Sequence, residues 1–218
     1  MKCYLIRHGI TKGNTELHFN GSGTDEPLTK EGRDALKEIE DVAPGAVLFA
    51  SPMTRARETA AILFPGIKPL IIDDLREMHF GIFEGKNHMM LDGDAEYQAW
   101  LDSGGEAQIP GGESIGSFSK RAFKGFVKAL GIAVKKRANT VYMVVHGGTI
   151  MAVMSSLTDE NYFEFNAPNG AGYKIEVEID DAGNVTAATT YDRFCGGLRA
   201  GSDGWRPPRY TPSDSMDR

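Results

Sequence analysis

Short apolar runs alternate with amphipathic stretches over residues 1–155. The four runs that have the length of a buried strand are residues 3–6, 46–50, 68–72 and 141–145. Continuous apolar runs of this length, bounded by polar and turn-forming residues, are typical of strands that are covered on both faces. Strands that alternate with helices form parallel βαβ units. The pattern therefore predicts an α/β protein with a mainly parallel central sheet.

Three helices are predicted from periodicity and capping residues. One follows Thr29 and is expected to bury one face. Its apolar positions are Leu28, Ala35, Ile39 and Val42. A second begins with Ser51 as its N-cap and Pro52 as its first residue, the usual place for a proline at a helix start. The third covers residues 118–134, where apolar residues recur at the helical period and lysines occupy the opposite face.

The pattern changes after residue 170. Residues 173–179 alternate apolar and polar side chains, which indicates a strand with one face in water. Residues 181–184 (DAGN) are of types that are common in turns, and residues 185–191 have a second strand pattern. We therefore predict an antiparallel hairpin at the sheet edge. The predicted fold is a three-layer α/β/α sandwich with a mainly parallel central sheet and an antiparallel edge hairpin.

Length and composition fit one folded domain. The chain has 218 residues, of which 41% are hydrophobic and 25% charged, and these values exclude a disordered chain, a collagen and a coiled coil. We assign residues 1–218 to a single domain with a helical excursion at about residues 86–112 and a tail rich in glycine and proline at about residues 196–218. The methionine and aromatic residues of the excursion, Met89 to Trp100, are expected to form a local core. The tail is expected to pack loosely.

The charge and the cysteine content limit which binding partners and which cellular compartment we expect for the protein. The 24 basic and 30 acidic residues give a net charge of −6, which disfavours nucleic acid as a partner. No apolar run reaches the roughly 18 residues that a membrane helix needs, and the N-terminal residues lack the apolar stretch of a signal peptide. Two cysteines provide neither a disulfide framework nor a zinc site. We expect a cytoplasmic protein that binds a small molecule rather than nucleic acid or a membrane, and the oligomeric state stays open.

Two histidines occupy equivalent positions at the ends of predicted strands. His8 follows the first apolar run and His146 the last, and each precedes a glycine. Because ligands of parallel sheets bind at the carboxyl ends of the strands, the two side chains are expected to meet there. Arg7 adjoins His8, and Arg55 falls in the first turn of a predicted helix, a position that favours anions. Two histidines and two arginines at one edge predict an anion site, with phosphate as the natural ligand, because guanidinium groups match phosphate oxygens.

Six segments in the same order resemble the motifs of the histidine phosphatase (phosphoglycerate mutase-like) superfamily. They are residues 5–11 (LIRHGIT), 25–29 (DEPLT), 51–60 (SPMTRARETA), 75–85 (LREMHFGIFEG), 110–114 (PGGES) and 144–148 (VVHGG). One short motif would be weak evidence, whereas six ordered segments are specific. The chain resembles the phosphatase branch, which includes alpha-ribazole phosphatase and related small phosphatases. The resemblance implies the same three-layer fold.

The resemblance also implies a role for each matching residue. His8 would be the nucleophile that forms a phosphohistidine, and Glu77 the general acid that protonates the leaving alcohol. The phosphoryl oxygens would be held by Arg7, Asn14, Arg55, His146 and the backbone N–H of Gly147. This chemistry requires no cofactor and no metal, and the adjacent aspartates at residues 73–74 are interpreted as a turn rather than a cation site.

Phosphatases and mutases of this superfamily share these motifs, so the reaction is not fixed by them. The mutases carry paired basic residues before the PGGES-like segment, whereas residues 86–112 here contain Lys86 as their one lysine or arginine. We therefore expect hydrolysis of a small-molecule phosphate monoester. The alternatives are a phosphoglycerate mutase-type isomerase and a non-catalytic, phosphate-binding regulatory module. Alpha-ribazole phosphate, phosphosugars and phosphoglycerate all stay open as substrates.

Some residues near the motifs are expected to act outside the chemistry. Glu84 is interpreted as structural, although it matches a family position. Arg57 is interpreted as peripheral because it projects from another side of its helix than the motif arginine does. The spacing before the DEPLT segment does not decide whether Gly21 or Gly23 approaches the phosphate.

Overall fold

Six strands form a single mixed sheet in the computed structural model, which describes residues 1–158, 160–181 and 183–198. The strands are β1 (Lys2–Arg7), β2 (Val47–Ala50), β3 (Leu70–Ile71), β4 (Thr140–Val145), β5 (Gly172–Ile179) and β6 (Val185–Phe194). Their order across the sheet is β3-β2-β4-β1-β5-β6. The four strands predicted from apolar runs and the two strands of the predicted hairpin are therefore all present.

Strands β1 and β4 lie side by side at the centre of the sheet. They are parallel and run in register from Lys2 opposite Thr140 to Arg7 opposite Val145. Strands β2 and β3 extend the parallel part, while β5 pairs antiparallel with β1, and β6 antiparallel with β5. The prediction of a mainly parallel sheet with an antiparallel edge hairpin is confirmed. The register also means that the residues after Arg7 and Val145 leave the sheet next to each other.

Helices cover both faces of the sheet. They are α1 (Lys12–Thr15), α2 (Lys30–Asp34), α3 (Thr54–Leu63), α4 (Ala95–Asp102), α5 (Ile115–Lys135) and α6 (Gly147–Thr158). Alternate residues of a strand point to opposite faces. Leu5 of β1 therefore packs in one core with Phe126 of α5 and Ile150 of α6, while Ile6 packs in a second core with Ala60 of α3. The three-layer α/β/α sandwich is confirmed.

Helix α2 is shorter than the sequence pattern predicts. It ends at Asp34, and Leu36 instead forms an isolated antiparallel bridge with Leu198. The backbone N–H of Lys37 donates to the carbonyl of Gly197, so the chain after α2 satisfies its hydrogen bonds with the C-terminal segment instead of continuing the helix. Ile39 and Val42 still reach the core beside α3, but from an irregular segment.

The start of the glycine- and proline-rich tail is packed, contrary to the prediction of a loosely packed tail. Leu198 is partly buried and packs against the second core, and a Cβ on Gly170 would stand 2.5 Å from the Cδ2 of this leucine. Residues 199–218 lie outside the described residues, so the prediction for the rest of the tail stays a prediction.

The prediction that Ser51 and Pro52 begin helix α3 is wrong. The helix begins at Thr54, and its first backbone N–H and the Thr54 hydroxyl both donate to the carboxylate of Asp25, at 2.7 and 2.9 Å. Asp25 therefore satisfies this helix end from a distant loop, as a capping residue would do locally. The Ser51 hydroxyl lies within hydrogen-bond distance of His146 instead.

The excursion at residues 86–112 contains helix α4 and forms only part of the expected local core. Tyr97 and Trp100 of α4 pack against Phe19 and Phe83, with ring centroids 5.5–6.1 Å apart. In contrast, the side chains of Met89 and Met90 are 69% and 63% exposed. The interpretation of a core was therefore correct for the aromatic residues and wrong for the two methionines, which lie in a turn before the helix.

None of the helices within the described ranges combines the length and the apolarity that crossing a bilayer requires.

Two glycines of α5 test how closely this helix packs against the turn at Asp73–Leu75, which leads to Glu77. A Cβ on Gly125 would stand 2.9 Å from Asp74 Cβ, whereas one on Gly116 would meet nothing within 4 Å. We expect Gly125→Ala to lower the free energy of unfolding by about 1–2 kcal/mol through overpacking. Gly116→Ala should raise it by about 0.5–1 kcal/mol, because alanine favours the helix. Chemical denaturation followed by circular dichroism measures both, and equal stability of the two variants would contradict the packing.

Candidate active site

The two strand-end histidines meet at the edge of the sheet, as the sequence predicts. The ring centroids of His8 and His146 are 5.1 Å apart and the ring planes are inclined by 63°. Both are buried, with exposed fractions of 4% and 0%. Their proximity follows from the pairing of β1 with β4, because each histidine is the first residue after its strand.

Hydrogen bonding fixes the form of the His8 ring. Its Nδ1 lies 2.7 Å from the carbonyl oxygen of Gly9, and a carbonyl only accepts, so Nδ1 carries the proton and Nε2 keeps its lone pair. Burial, followed by the positive charges of Arg55 and Arg7, holds the pKa of His8 well below its usual range. His8 is therefore a neutral imidazole with a nucleophilic nitrogen.

Two guanidinium groups stand beside the histidines and are held by backbone carbonyls. Arg7 Nη1 donates to the carbonyl of Ala167 at 2.7 Å. Arg55, which is 1% exposed, donates from Nη1 to Thr24 and from Nη2 to Asn20 and Gly21. Burial lowers the pKa of both arginines, yet a guanidinium stays protonated in proteins. The carbonyls orient the two cations without neutralising them.

Three nitrogen atoms of this site have no hydrogen-bond partner. Over the described part of the chain, four buried side-chain polar atoms make no hydrogen bond. They are Arg7 Nε, Arg55 Nε, His146 Nδ1 and Trp100 Nε1. An unpaired buried donor is costly, and three of these four belong to side chains around His8. Unsatisfied nitrogens on two guanidinium groups and on the neighbouring imidazole indicate a site built for an anion with several acceptor oxygens.

Glu77 supplies a buried carboxyl group to the same site. It is 8% exposed, and its two oxygens accept hydrogen bonds from the backbone N–H groups of Met78 and Gly148, at 2.9 and 3.0 Å. Burial raises the pKa of Glu77, and this effect outweighs the two hydrogen bonds and the charges of Arg55 and Arg7, which lower it. The carboxyl group is therefore protonated more readily than an exposed glutamate.

Arg121 holds the loop that carries Glu77, although no sequence motif points to this residue. Its guanidinium donates to the backbone carbonyls of Asp74, Arg76 and Glu77. It also forms two hydrogen bonds of 2.8 and 2.7 Å with the Glu113 carboxylate. The sequence could have indicated this role, because an arginine next to an apolar position on the buried side of α5 requires a hydrogen-bonding or ionic partner.

Asn14 and Asn169 connect α1 to the backbone of His8. The Asn14 side-chain oxygen accepts from Thr11, whose N–H and hydroxyl both lie 3.1 Å away. It also accepts from Asn169 Nδ2 at 3.0 Å, and this same nitrogen lies 3.0 Å from the carbonyl of His8. Asn169 was missed because a lone asparagine beside glycine reads as ordinary turn chemistry.

Two consecutive glycines let the arginine and the carboxyl group approach the start of α6. A Cβ on Gly147 would lie 3.4 Å from Cζ and Nε of Arg7, and one on Gly148 would lie 2.4 Å from Oε1 of Glu77. Gly147 is the first residue of α6, where backbone N–H groups lack partners within the helix. The predicted site residue Gly147 is thus placed beside Arg7.

Neither Gly21 nor Gly23 has its backbone N–H available to a phosphate. Both N–H groups donate to the carboxylate of Glu84, at 3.0 and 2.9 Å, and this carboxylate also accepts from the Thr24 hydroxyl and the Phe80 N–H. The structural interpretation of Glu84 is confirmed. Arg57 is exposed, as expected for a peripheral residue.

The adjacent aspartates lie in the short helical turn Asp73–Leu75, as the sequence analysis expects. In the ranges that the structure describes, no group of three or more His, Cys, Asp or Glu side chains is placed to hold a metal ion.

The sequence matches the family model of the histidine phosphatase superfamily (branch 1) over residues 3–188. The chain belongs to this superfamily. The match includes every predicted site residue, from Arg7 to Gly147. The resemblance inferred from six motifs is therefore confirmed.

Relatives of the chain within this superfamily include both a mutase and phosphatases. The 2,3-bisphosphoglycerate-dependent phosphoglycerate mutase 2 of Gloeobacter violaceus is 32% identical over 164 residues, which cover 70% of this chain and 74% of that protein. The adenosylcobalamin/alpha-ribazole phosphatase of Escherichia coli is 27% identical over 187 residues, which cover 81% and 90%. The crystal structure of the alpha-ribazole phosphatase from Shigella flexneri superposes with a TM-score of 0.69 at 25% identity and covers 82% of this chain and 91% of its own.

Glu77 and Glu113 are expected to affect stability with opposite pH dependence. The raised pKa of Glu77 means that its favourable contribution is present at low pH and is lost as pH rises through its folded-state pKa. For Glu113, burial raises the pKa, but hydrogen bonds from Arg121 and the His79 N–H outweigh it, so the net pKa is lowered and the contribution is lost as pH falls. Glu77→Gln should therefore gain stability relative to the wild type as pH rises, and Glu113→Gln should lose it.

Denaturation of the wild type and both variants over a pH series that extends from below the ordinary glutamate pKa of about 4.3 to mildly alkaline pH measures these two trends. A parallel pH dependence of all three proteins would contradict the opposite pKa shifts of Glu77 and Glu113.

Proposed function

We propose that this member of the superfamily is a phosphatase that hydrolyses a small-molecule phosphate monoester through a phosphohistidine on His8. The observation that carries the proposal is the group of unpartnered buried nitrogens, Arg7 Nε, Arg55 Nε and His146 Nδ1, around a neutral His8. A phosphoryl group brings several acceptor oxygens and negative charge, which is what these donors lack.

In the first step, His8 Nε2 attacks phosphorus and the bond from phosphorus to the ester oxygen breaks. The orientation of His8 supports this assignment, because Nδ1–H is held by the Gly9 carbonyl and the lone pair remains on Nε2. The electron pair of the broken bond goes to the ester oxygen, which takes the proton of Glu77 and leaves as an alcohol. The raised pKa of Glu77 supports its role as this acid.

In the second step, the roles of Glu77 reverse. The Glu77 carboxylate takes a proton from water, the water oxygen attacks phosphorus, and the bond to His8 Nε2 breaks. Inorganic phosphate leaves, and Glu77 is again protonated. One carboxyl group therefore serves both steps, with no net change in the protein.

Positive charge at fixed positions accounts for most of the proposed rate enhancement. Arg7, Arg55 and His146 would donate to the phosphoryl oxygens, with the Gly147 backbone N–H and Asn14 as further donors. Charge that spreads over these oxygens in the transition state is stabilised best by donors that need no reorganisation. The carbonyl acceptors of Arg7 and Arg55 supply that rigidity. The proposed chemistry uses no metal and no cofactor.

The excursion supports a substrate other than a bisphosphate. Residues 86–112 carry five acidic residues and Lys86, and the exposed side chains of Met89 and Met90 add apolar surface. These residues suit a neutral or apolar leaving group better than a second phosphate. We propose a small metabolite as the substrate, rather than a nucleic acid or a membrane component.

The mutase reaction is the second candidate function, because a relative at 32% identity is named as a phosphoglycerate mutase. The two reactions share the first step and differ in what accepts the phosphoryl group. Adding 3-phosphoglycerate with a trace of 2,3-bisphosphoglycerate distinguishes them: release of inorganic phosphate supports the phosphatase, and formation of 2-phosphoglycerate supports the mutase.

We expect wild-type protein to hydrolyse p-nitrophenyl phosphate in the presence of EDTA and His8→Ala to lose essentially all of this activity. The reason is that covalent catalysis requires the Nε2 lone pair, whereas no metal takes part. His88→Ala, which alters an exposed histidine, is the matched control and should keep wild-type activity. A phosphohistidine hydrolyses in acid and is stable in alkali. The intermediate is therefore measured after rapid quenching in alkali. Full activity of His8→Ala, or loss of wild-type activity in EDTA, would refute the proposed mechanism.

Glu77→Gln should slow poor leaving groups far more than good ones. An alkyl phosphate needs a proton on its departing oxygen, so kcat/KM should fall on the order of 100-fold or more. p-Nitrophenolate leaves without protonation, and the fall for its ester should be much smaller. Glu96→Gln, at an exposed glutamate of α4, serves as the control. An equal fall for both esters would assign the acid role to another group.

A further inference from the structure

We infer that Ser51 is a positioning residue that keeps the single proton of His146 on Nδ1, so that this nitrogen donates to the phosphoryl group. The statement about the phosphoryl group rests on the proposed function, whereas the position of the proton can be tested in the protein without any ligand.

Ser51 and His146 form a short and fully buried contact. The Ser51 Oγ lies 2.7 Å from His146 Nε2, and both residues are 0% exposed. Each directly follows a strand, Ser51 after β2 and His146 after β4, and these strands are paired. The Ser51 N–H also donates to the Val144 carbonyl at 3.0 Å. The backbone therefore fixes the distance between the hydroxyl and the ring.

The direction of this hydrogen bond follows from counting donors and acceptors. The Ser51 oxygen already accepts a hydrogen bond from the Met53 backbone N–H, at 3.3 Å. Within the described residues, His146 Nε2 is the other group in hydrogen-bond contact with this hydroxyl. If Nε2 carried a proton, two donors would point at one oxygen and the hydroxyl proton would have no acceptor. If the hydroxyl donates to the Nε2 lone pair, both groups are satisfied.

The surroundings of the other ring nitrogen, Nδ1, also place the proton of His146 on Nδ1. His146 Nδ1 is buried and makes no hydrogen bond to any described residue. Phosphoryl oxygens accept hydrogen bonds, so a bare lone pair on Nδ1 would repel them. A proton on Nδ1 makes the ring a donor towards the site, and the Ser51 hydroxyl favours this arrangement by occupying Nε2.

Burial and the surrounding positive charge keep the His146 ring neutral, so its one proton must lie on either Nδ1 or Nε2. Burial and the positive charges of Arg55 and Arg7, with contributions from His8 and Arg121, hold the pKa of His146 well below its usual range. The ring is therefore neutral and has one proton to place. An exposed imidazole would exchange between the two forms or take a second proton, and no partner would be required.

The two histidines of the site thus use the same ring form for opposite purposes. In His8 the Gly9 carbonyl binds Nδ1–H and leaves the Nε2 lone pair as the nucleophile. In His146 the hydroxyl of Ser51 binds Nε2 and leaves Nδ1–H as a donor. The backbone carbonyl beside one ring and the hydroxyl beside the other determine which ring attacks and which ring binds.

Nitrogen-15 NMR of the free wild-type protein labelled at histidine tests the proton position directly. We expect His146 to show a pyrrole-like Nδ1 and a pyridine-like Nε2, with His146→Gln used to assign its signals. The reverse pattern, or an imidazolium with two pyrrole-like nitrogens near neutral pH, would overturn the inference. This measurement needs neither activity nor a variant of Ser51.

Ser51→Ala tests the positioning role. We expect the His146 signals to change towards the other ring form and the inhibition constant of inorganic phosphate to rise roughly tenfold, as the loss of one hydrogen bond to a charged group implies. Ser51→Thr keeps the hydroxyl and should retain the wild-type ring form. Ser155→Ala, which removes a hydroxyl from α6, is the matched control. It should leave the His146 signals and the inhibition constant of inorganic phosphate unchanged. Unaltered His146 signals in folded Ser51→Ala would overturn the inference.

The two proposals fail in distinguishable ways. If wild-type protein hydrolyses phosphate monoesters but His146 carries its proton on Nε2, the inference about Ser51 is wrong and the proposed function stands. If His146 carries its proton on Nδ1 but no phosphate monoester is hydrolysed, the proposed function is wrong and the role of Ser51 in placing the proton stands.

Discussion

The parallel pairing of β1 with β4 is the constraint on which the whole site depends. Arg7 lies opposite Val145 at the end of this pairing, so the chain leaves the sheet at His8 and His146 side by side, with ring centroids 5.1 Å apart. A shift of one strand by a single residue would turn its histidine to the other face. Apolar cores on both faces of the sheet oppose such a shift. The side chains that stabilise the fold therefore also set the distance between the two rings.

Buried positive charge is retained because its hydrogen-bond partners are mostly neutral. The guanidinium groups of Arg7 and Arg55 are held by backbone carbonyls, and burial favours a neutral form of the nearby Glu77. Carboxylates in those places would have cancelled the charge that an anion needs. The guanidinium of Arg121 is instead paired with the Glu113 carboxylate, and it stands behind the site and orients the Glu77 loop.

The strands, the layers and the meeting of His8 with His146 at one edge of the sheet were predictable from the sequence, because they follow from local periodicity and from ordered motifs. Sequence reasoning could not predict features that depend on partners distant in the chain. Helix α2 stops early because residues 36 and 37 bond to the C-terminal segment. Helix α3 begins three residues after Ser51 because Asp25 caps it. Arg121 and Asn169 are recognisable as site residues only when the loops that they hold are in place.

The loop of residues 20–24 lies between the side chains of Arg55 and Glu84. Arg55 binds the carbonyl oxygens of residues 20, 21 and 24 on one side, and Glu84 binds the N–H groups of Gly21 and Gly23 on the other. The loop thus acts as a spacer between a cation of the site and the segment that leads into the excursion, and it makes most of these contacts with its backbone. Substitution should be least tolerated at Gly21, where a Cβ would overlap the Met78 carbonyl oxygen, although this residue carries no reactive side chain and an inventory of catalytic residues would pass over it.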